Sequence, residues 1–452
     1  MKRIFLLCFF VFHVKAFNFY DSSWSKSSWS ALPKKQLPTY NAVDKMDVVK
    51  RQLEQKPPLI FVEEADTLQR ELIQTSKGNA FTIIMGDCVE TFDNFSVENI
   101  KDFSKLIFQI GIRVSKETGM KAVKIGRIAG QYAKPRSQEY ENGILSYKGD
   151  IIHGYEANDR DPDAGRMLEA YYHSVSTLNL LRAFSKGGFA SLNNVDQWKI
   201  KSVDDGTQQE FLLDLQEHLR LLKGLGIPAL TSSVLQETNL YIGHECLLLP
   251  YEESLTRFDS KSFRPYSCSA HFLWIGERTR DLDGAHVEFI RGIHNPIGIK
   301  VSADFDEDEI IGLLKKVNPF NQMGKVVLMT RFGRNFIHKL PDLIRTVEEH
   351  KCNVVWVCDP MHGNTFSKDG YKVRCMEDIE YEMIEFFKYH KLMGTVAGGI
   401  HLESTSRNVS EIINTVDDSI DPARYETKCD PRLNGTQTLQ LMNILLDYMS
   451  KN

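Results

Sequence analysis

The sequence has little of what would place it in several large classes of protein. Positive charge is not in excess: 55 Lys and Arg stand against 60 Asp and Glu, giving a formal net charge of -5 and a pI near 6.3. No basic field is offered to a nucleic acid. Cysteine is sparse and dispersed. The eight, at 8, 88, 246, 268, 352, 358, 375 and 429, make no close-packed disulfide framework and suit a reducing compartment. No long hydrophobic run occurs; the apolar stretch from Ile4 to Phe12 is too short to span a bilayer, so stable membrane association is not expected. No dinucleotide-binding glycine motif, P-loop or nucleophile elbow stands in a suitable context, which weighs against nucleotide-driven and serine-hydrolase chemistry. At 42% hydrophobic and 25% charged, the 452 residues suffice for a large core.

The N-terminus is ambiguous. Lys2 and Arg3 precede the apolar run, and Val14-Lys15-Ala16 resembles a secretory cleavage site. Residues 1–16 read either as a leader to a plastid or for export, or as the apolar start of a cytoplasmic protein. Asn-X-Ser/Thr sequons occur at Asn94, Asn408 and Asn434. A glycan at Asn434 would block a segment assigned to the active site below, which favours the cytoplasm.

Residues 17–78 read as an arm rich in Ser, Trp and Pro followed by helical stretches at Asp47–Gln55 and Glu64–Thr75. From residue 79 onward apolar strands alternate with helices. Strands are expected at Phe81–Met85, Ala122–Ile125, Leu240–Ile242, Phe272–Ile275, Ile297–Val301, Val326–Met329, Val354–Val357 and Met393–Val396. Helices are expected at Val97–Lys116, Glu307–Val317, Ile337–His350 and Ile379–Lys388. Eight strand-helix repeats predict an α/β fold, a (β/α)8 TIM barrel spanning 79–452. Between strands 2 and 3 an insertion at about 166–232 carries a helical pair, Arg166–Phe184 and Gln208–Leu225.

Position then selects chemistry. Cys88, Arg127, Glu277, Arg278, Lys300, Arg331, His362 and Glu403 fall at or just past strand C-termini, where barrel enzymes assemble their sites. Arg127, Arg278, Lys300 and Arg331 come from four strands and suit a small substrate with more than one anionic group, unless each pairs with an acid such as Glu277 or Asp359. Cys88, His362, Glu403 and Asp430 form a mixed soft and hard donor set for one divalent ion, Mn(II), Co(II), Fe(II) or Zn(II) rather than Mg(II) or Ca(II). Cys88 also reads as a small buried hydrophobe. Lys134-Pro135-Arg136-Ser137 is either a second phosphate subsite or a solvated basic turn. Asp359 to Thr365 is either a site-forming strand mouth or a plain turn with local backbone bonds.

The motifs Trp24-Ser25 with Ser28-Trp29, Gly86-Asp87-Cys88, Lys124 to Ser137, Trp274 to Arg280, Asn295 to Lys300, Asp359 to Thr365 and Cys429 to Asn434 together resemble the class II, plant-type 3-deoxy-D-arabino-heptulosonate 7-phosphate (DAHP) synthases. The resemblance covers nearly everything from Trp24 onward. It implies condensation of phosphoenolpyruvate with erythrose 4-phosphate, releasing phosphate, as the first step of the shikimate pathway. It implies metal ligation by Cys88, His362, Glu403 and Asp430, with Mn(II) or Co(II) ahead of Fe(II) or Zn(II). Phosphoenolpyruvate would meet Arg127, Arg278, Lys300 and Arg331, with Glu277 and Trp274 lining the site; Lys134, Pro135, Arg136 and Ser137 would face erythrose 4-phosphate. Cys88, His362, Lys300 and Glu277 would act at the reacting atoms. A homo-oligomer with an aromatic amino-acid effector at the inserted helices is also implied.

The chain departs from the family pattern at Ile84-Met85, Val301-Ser302-Ala303 and Ser404-Thr405-Ser406-Arg407, none of which replaces an implied ligand. Two other readings stay open: a secondary-metabolism relative taking a modified sugar-phosphate acceptor, and a catalytically silent binding paralogue.

Overall fold

The computed structural model describes residues 24–141, 143–226 and 236–451; the expected leader at 1–16 lies outside them. Eight parallel strands close into a barrel: β1 (Ala80–Gly86), β2 (Lys121–Arg127), β3 (Tyr241–Glu245), β4 (Phe272–Ile275), β5 (Ile297–Val301), β6 (Val326–Thr330), β7 (Val355–Cys358) and β8 (Ala397–Glu403). β1 pairs with β2 on one side and β8 on the other, with Gly86 opposite both Arg127 and Glu403. The expected TIM barrel is therefore the fold, and its strands read as near-continuous apolar runs because both faces are buried.

The two faces pack separately. Ile84, Ile125, Trp274, Met329 and Val357 belong to one cluster, while Ile83, Met85, Ile275, Leu328 and Leu402 belong to the main core. The period of two along each strand separates barrel interior from helix layer.

Around the barrel run α1 (Val43–Glu54), α2 (Val62–Ser76), α3 (Val97–Thr118), α4 (Arg166–Lys186), α5 (Asp205–Gly224), α6 (Leu249–Leu255), α7 (Ala285–Gly292), α8 (Glu307–Val317), α9 (Leu340–Glu349), α10 (Met376–Met393) and α11 (Gly435–Lys451). Local chemistry sets several ends. Ser96 caps α3 by accepting from Asn99 N at 3.1 Å, and Asp306 caps α8 by accepting from Glu309 N at 2.8 Å. Leu68 and Leu72 of α2 join the interior cluster, and Thr75 meets Thr82 of β1 at 2.9 Å. One end of the barrel is thus stoppered, leaving the C-terminal end as the mouth. The pair α4 and α5 lies between β2 and β3, as expected. In the arm, Trp24 donates to the Glu288 carbonyl at 2.9 Å and Trp29 to the Glu253 carboxylate at 3.1 Å.

One strand differs from expectation. Met393–Val396 is not β8: α10 runs to Met393 and ends on Gly394 at φ 70 in the left-handed region. The strand begins at Ala397 and takes in Gly398, Gly399, His401 and Glu403.

Candidate active site

At the mouth, β1 gives way to Gly86-Asp87-Cys88. Gly86 has φ 143, and a Cβ there would lie 2.6 Å from the Arg127 carbonyl, so only glycine lets the two chains approach. Arg127, at the end of β2, reaches across to bind the carbonyls of Asp87 (2.9 Å) and Cys88 (3.0 Å), His401 Nε2 (2.7 Å) and Glu403 Oε1 (3.1 Å). The Cys429–Asn434 segment is stitched onto the end of β8: Leu433 N donates to the Glu403 carbonyl at 3.0 Å, and Thr405 N to the Leu433 carbonyl at 2.8 Å. That junction brings Asp430 to the mouth, its amide 3.2 Å from Cys88 Sγ.

The four expected donors assemble as two overlapping groups. His362, Glu403 and Asp430 form one; Cys88, Cys429 and Asp430 form the other, and within each the donor atoms lie within 4.8 Å of one another. Donors on one transition-metal ion at 2.0 to 2.3 Å span at most about 4.6 Å, so each group of three nearly has the spacing one ion needs, and Asp430 belongs to both. The lining also suits positive charge. Lys134 Nζ sits among the same donors, 2.7 Å from Glu403, 3.1 Å from Asp430 and 3.3 Å from His362 Nε2.

His362 is aimed by a buried acid. Its Nδ1 lies 2.8 Å from Asp359, leaving Nε2 directed at Glu403, 3.0 Å away. This is the carboxylate–histidine arrangement that fixes a ligand's tautomer. Burial lowers the His362 pKa, with Asp359 and Glu403 opposing, which favours the neutral, ligating ring. Burial alone would raise Asp359, but His362, Lys300 and His401 outweigh it and hold the carboxyl well below its usual range. Glu403 follows the same logic: His362, Lys134 and Arg374 overcome its desolvation. Burial and the Cys429 contact push the Cys88 thiol up. A coordinated cation would reverse that, since metal binding deprotonates a thiol.

The expected anion binders divide. Arg127 is committed to Glu403, and Lys300 to Asp359 at 3.0 Å; burial brings the Lys300 pKa down to about 8. Arg278 donates only to the Ser137 hydroxyl, and Arg331 only to the His362 carbonyl at 3.0 Å, so among the described residues neither has a carboxylate partner. Glu277 pairs with Arg280 at 2.6 Å instead and accepts from Ser302 N. Trp274 is fully buried beneath the mouth, its ring 5.2 Å from the Arg127 guanidinium. Pro135 is buried; Arg136 pairs with Glu141 at 2.6 Å and touches Cys429 Sγ, while Ser137 is exposed.

A family model described as the Class-II DAHP synthetase family matches residues 24–445. The chain belongs to this family. A Streptomyces coelicolor phospho-2-dehydro-3-deoxyheptonate aldolase is 39% identical over 430 residues, covering 92% of this chain and 95% of the relative. A Neurospora crassa protein of the same name is 37% identical over 454 residues, covering 94% of each. A solved structure of the Francisella tularensis phospho-2-dehydro-3-deoxyheptonate aldolase overlaps at a TM-score of 0.45 and 14% identity, covering 92% of this chain and 98% of that one.

Several residues of this DAHP synthetase chain escape sequence reasoning. Arg374, fully buried, lies 2.8 Å from Glu403 Oε2, donates to Thr365 Oγ1 at 2.8 Å and also reaches the Pro431 carbonyl. His401 bridges Arg127 and Asp359. Arg432 ties Glu411 (2.5 Å) to Asp87 (3.1 Å). Glu90 accepts from the amides of Ala129, Gly130 and Gln131 at 2.9, 2.8 and 2.7 Å, setting the start of the loop that carries Lys134. Glu245 ends β3 buried, with Oε1 unbonded among the described residues. For His401 a signal exists: it stands two residues before Glu403, on the same strand face.

Proposed function

We infer that the chain is a 3-deoxy-7-phosphoheptulonate synthase, joining phosphoenolpyruvate to erythrose 4-phosphate with release of phosphate, and that one divalent ion held by Cys88, His362, Glu403 and Asp430 serves the reaction. The observation that carries this is adjacency. Arg331, without a carboxylate partner among the described residues, binds the backbone carbonyl of His362, so anion-binding and metal-donor groups share one wall.

Bound there, the ion supplies Lewis-acid polarisation of the acceptor's aldehyde oxygen. The chain's residues do the rest. Arg278 and Arg331 take the free charges of phosphoenolpyruvate, and Lys300 and Arg127, already facing the interior, complete a cationic wall. That wall orients C3 of phosphoenolpyruvate toward the aldehyde carbon and stabilises the phosphate that leaves by C–O cleavage after water adds at C2. Lys134, among the metal donors, and Arg136, beside Cys429, would take the acceptor's phosphate. Purified protein supplied with Mn(II) should consume phosphoenolpyruvate only when erythrose 4-phosphate is added, with one phosphate released per molecule consumed. No such dependence with any divalent metal would sink this reading.

The donor chemistry supports Mn(II) or Co(II), with Fe(II) or Zn(II) as alternatives. A homo-oligomer is supported by Leu213 and Leu221, which lie exposed on α5; an aromatic amino-acid effector rests on the family resemblance alone. A reducing, cytoplasmic setting is supported by Asn434, which caps α11 by accepting from Gln437 N at 2.9 Å and donates to the Val409 carbonyl at 3.1 Å. A glycan there would break the cap.

A further inference from the structure

Two loops build the wall just described. One, Arg331 to Arg334, follows β6 and carries the anion-binding arginine; the other, Asp359 to Asn364, follows β7 and carries the histidine ligand. Their backbones touch: a Cβ on Gly333 would lie 2.6 Å from the Gly363 carbonyl, and one on Gly363 would lie 2.3 Å from Gly333 N. Beneath the contact sits Glu382 of α10, fully buried. Its Oε1 accepts from Phe332 N at 2.8 Å and its Oε2 from Asn364 Nδ2 at 2.8 Å. Asn364 completes the tie, accepting from Arg334 N at 2.8 Å and donating to the Pro360 carbonyl at 2.9 Å.

No cation pairs with Glu382 among the described residues. Burial raises the Glu382 pKa to about 8, and the carboxyl group is held in place by N–H donors from two separate loops. A role confined to packing would be met as well by an apolar side chain.

We propose that Glu382 is a positioning residue that locks the Arg331 loop to the His362 loop, so that phosphoenolpyruvate affinity and metal affinity rise and fall together. This rests on the assignment of Arg331 and His362 above. Removing the carboxylate frees Phe332 N and the Asn364 amide at once, and both loops lose their common reference.

The test uses full-length Glu382→Ala and Glu382→Gln, with the metal dissociation constant measured by titrating Mn(II) into chelator-stripped protein, and KM and kcat measured on reloaded protein. Both variants should raise KM for phosphoenolpyruvate and the metal constant together by about tenfold, with a smaller change in kcat. Glutamine keeps the volume, so it remains measurable if the alanine variant fails to fold. Its new amide N–H faces the Asn364 donor. A wild-type protein that binds no Mn(II) contradicts the site assignment instead. If wild type binds, then both constants staying within about twofold of wild type, or one moving alone, overturns the lock.

Discussion

Removing Arg374 tests whether the buried charge network holds the mouth together. Its guanidinium is wholly enclosed, 2.8 Å from Glu403 and 2.8 Å from Thr365 Oγ1, and it also meets the Pro431 carbonyl. Arg374→Met keeps the stem and deletes the charge. Breaking one partner from a buried pair costs about 3–5 kcal/mol, because the remaining charge is left uncompensated. Here Glu403 keeps Lys134 at 2.7 Å and Arg127 at 3.1 Å, so the lower end, about 3 kcal/mol, is expected. The assay is guanidinium denaturation of metal-free protein for wild type, Arg374→Met, Glu403→Gln and the double variant. The double should be less destabilised than the sum of the singles, with a coupling of about 2 kcal/mol. Glu403 has a depressed folded pKa, so its stabilisation is present above its unfolded value and lost as pH falls through the folded one. The Arg374→Met deficit should therefore narrow in acid. A single-variant loss below about 1 kcal/mol, or a coupling near zero, would refute the reasoning.

Three shorter expectations follow from the same geometry. Arg331→Ala should raise KM for phosphoenolpyruvate by about tenfold or more, the worth of a charge-assisted bond, as read in steady-state kinetics; an unchanged KM excludes it from the anion site. Glu90→Ala should strip the acceptor from three amides, costing about 3 kcal/mol and speeding hydrogen exchange at Ala129 to Gln131; unchanged exchange there argues against it. Lys325 donates to the carbonyls of Ile293 (2.7 Å) and Asn295 (2.6 Å), and burial brings its pKa down to about 7 from 10.5. Between those values the unfolded chain holds more protons, so stability rises with pH by up to about 1.4 kcal/mol per unit. Lys325→Met should flatten that rise in denaturation curves taken from pH 7 to 10; an unaltered slope would mean another group titrates there.

The barrel was legible because its strands are buried on both faces and its helices carry regular apolar spacing. Glu307–Val317 was read residue for residue, since Asp306 and the acidic first turn announce its start. β8 was misplaced for a physical reason. Gly398 and Gly399 have low strand propensity, whereas Met393–Val396 looks apolar; closure of the barrel between β1 and β7 overrides local preference. The short helix α7 and the closing helix α11, which packs on α3, are not among the helices the sequence predicts. Of the site, His362 and Glu403 stood out as polar residues ending apolar strands. Arg374 did not, because it precedes α10 in a hairpin and only the folded chain turns it inward to Glu403. Arg432 and Asp87 are 345 positions apart, a pairing no local pattern announces.

One divalent ion at the mouth, as proposed, is what the chemistry turns on. Chelator-stripped protein titrated with Mn(II) should take up one equivalent per chain and regain erythrose 4-phosphate-dependent consumption of phosphoenolpyruvate in proportion, while Cys88→Ser and His362→Ala should lose both. Full two-substrate activity in stripped protein, or unaltered uptake by those variants, would contradict the account.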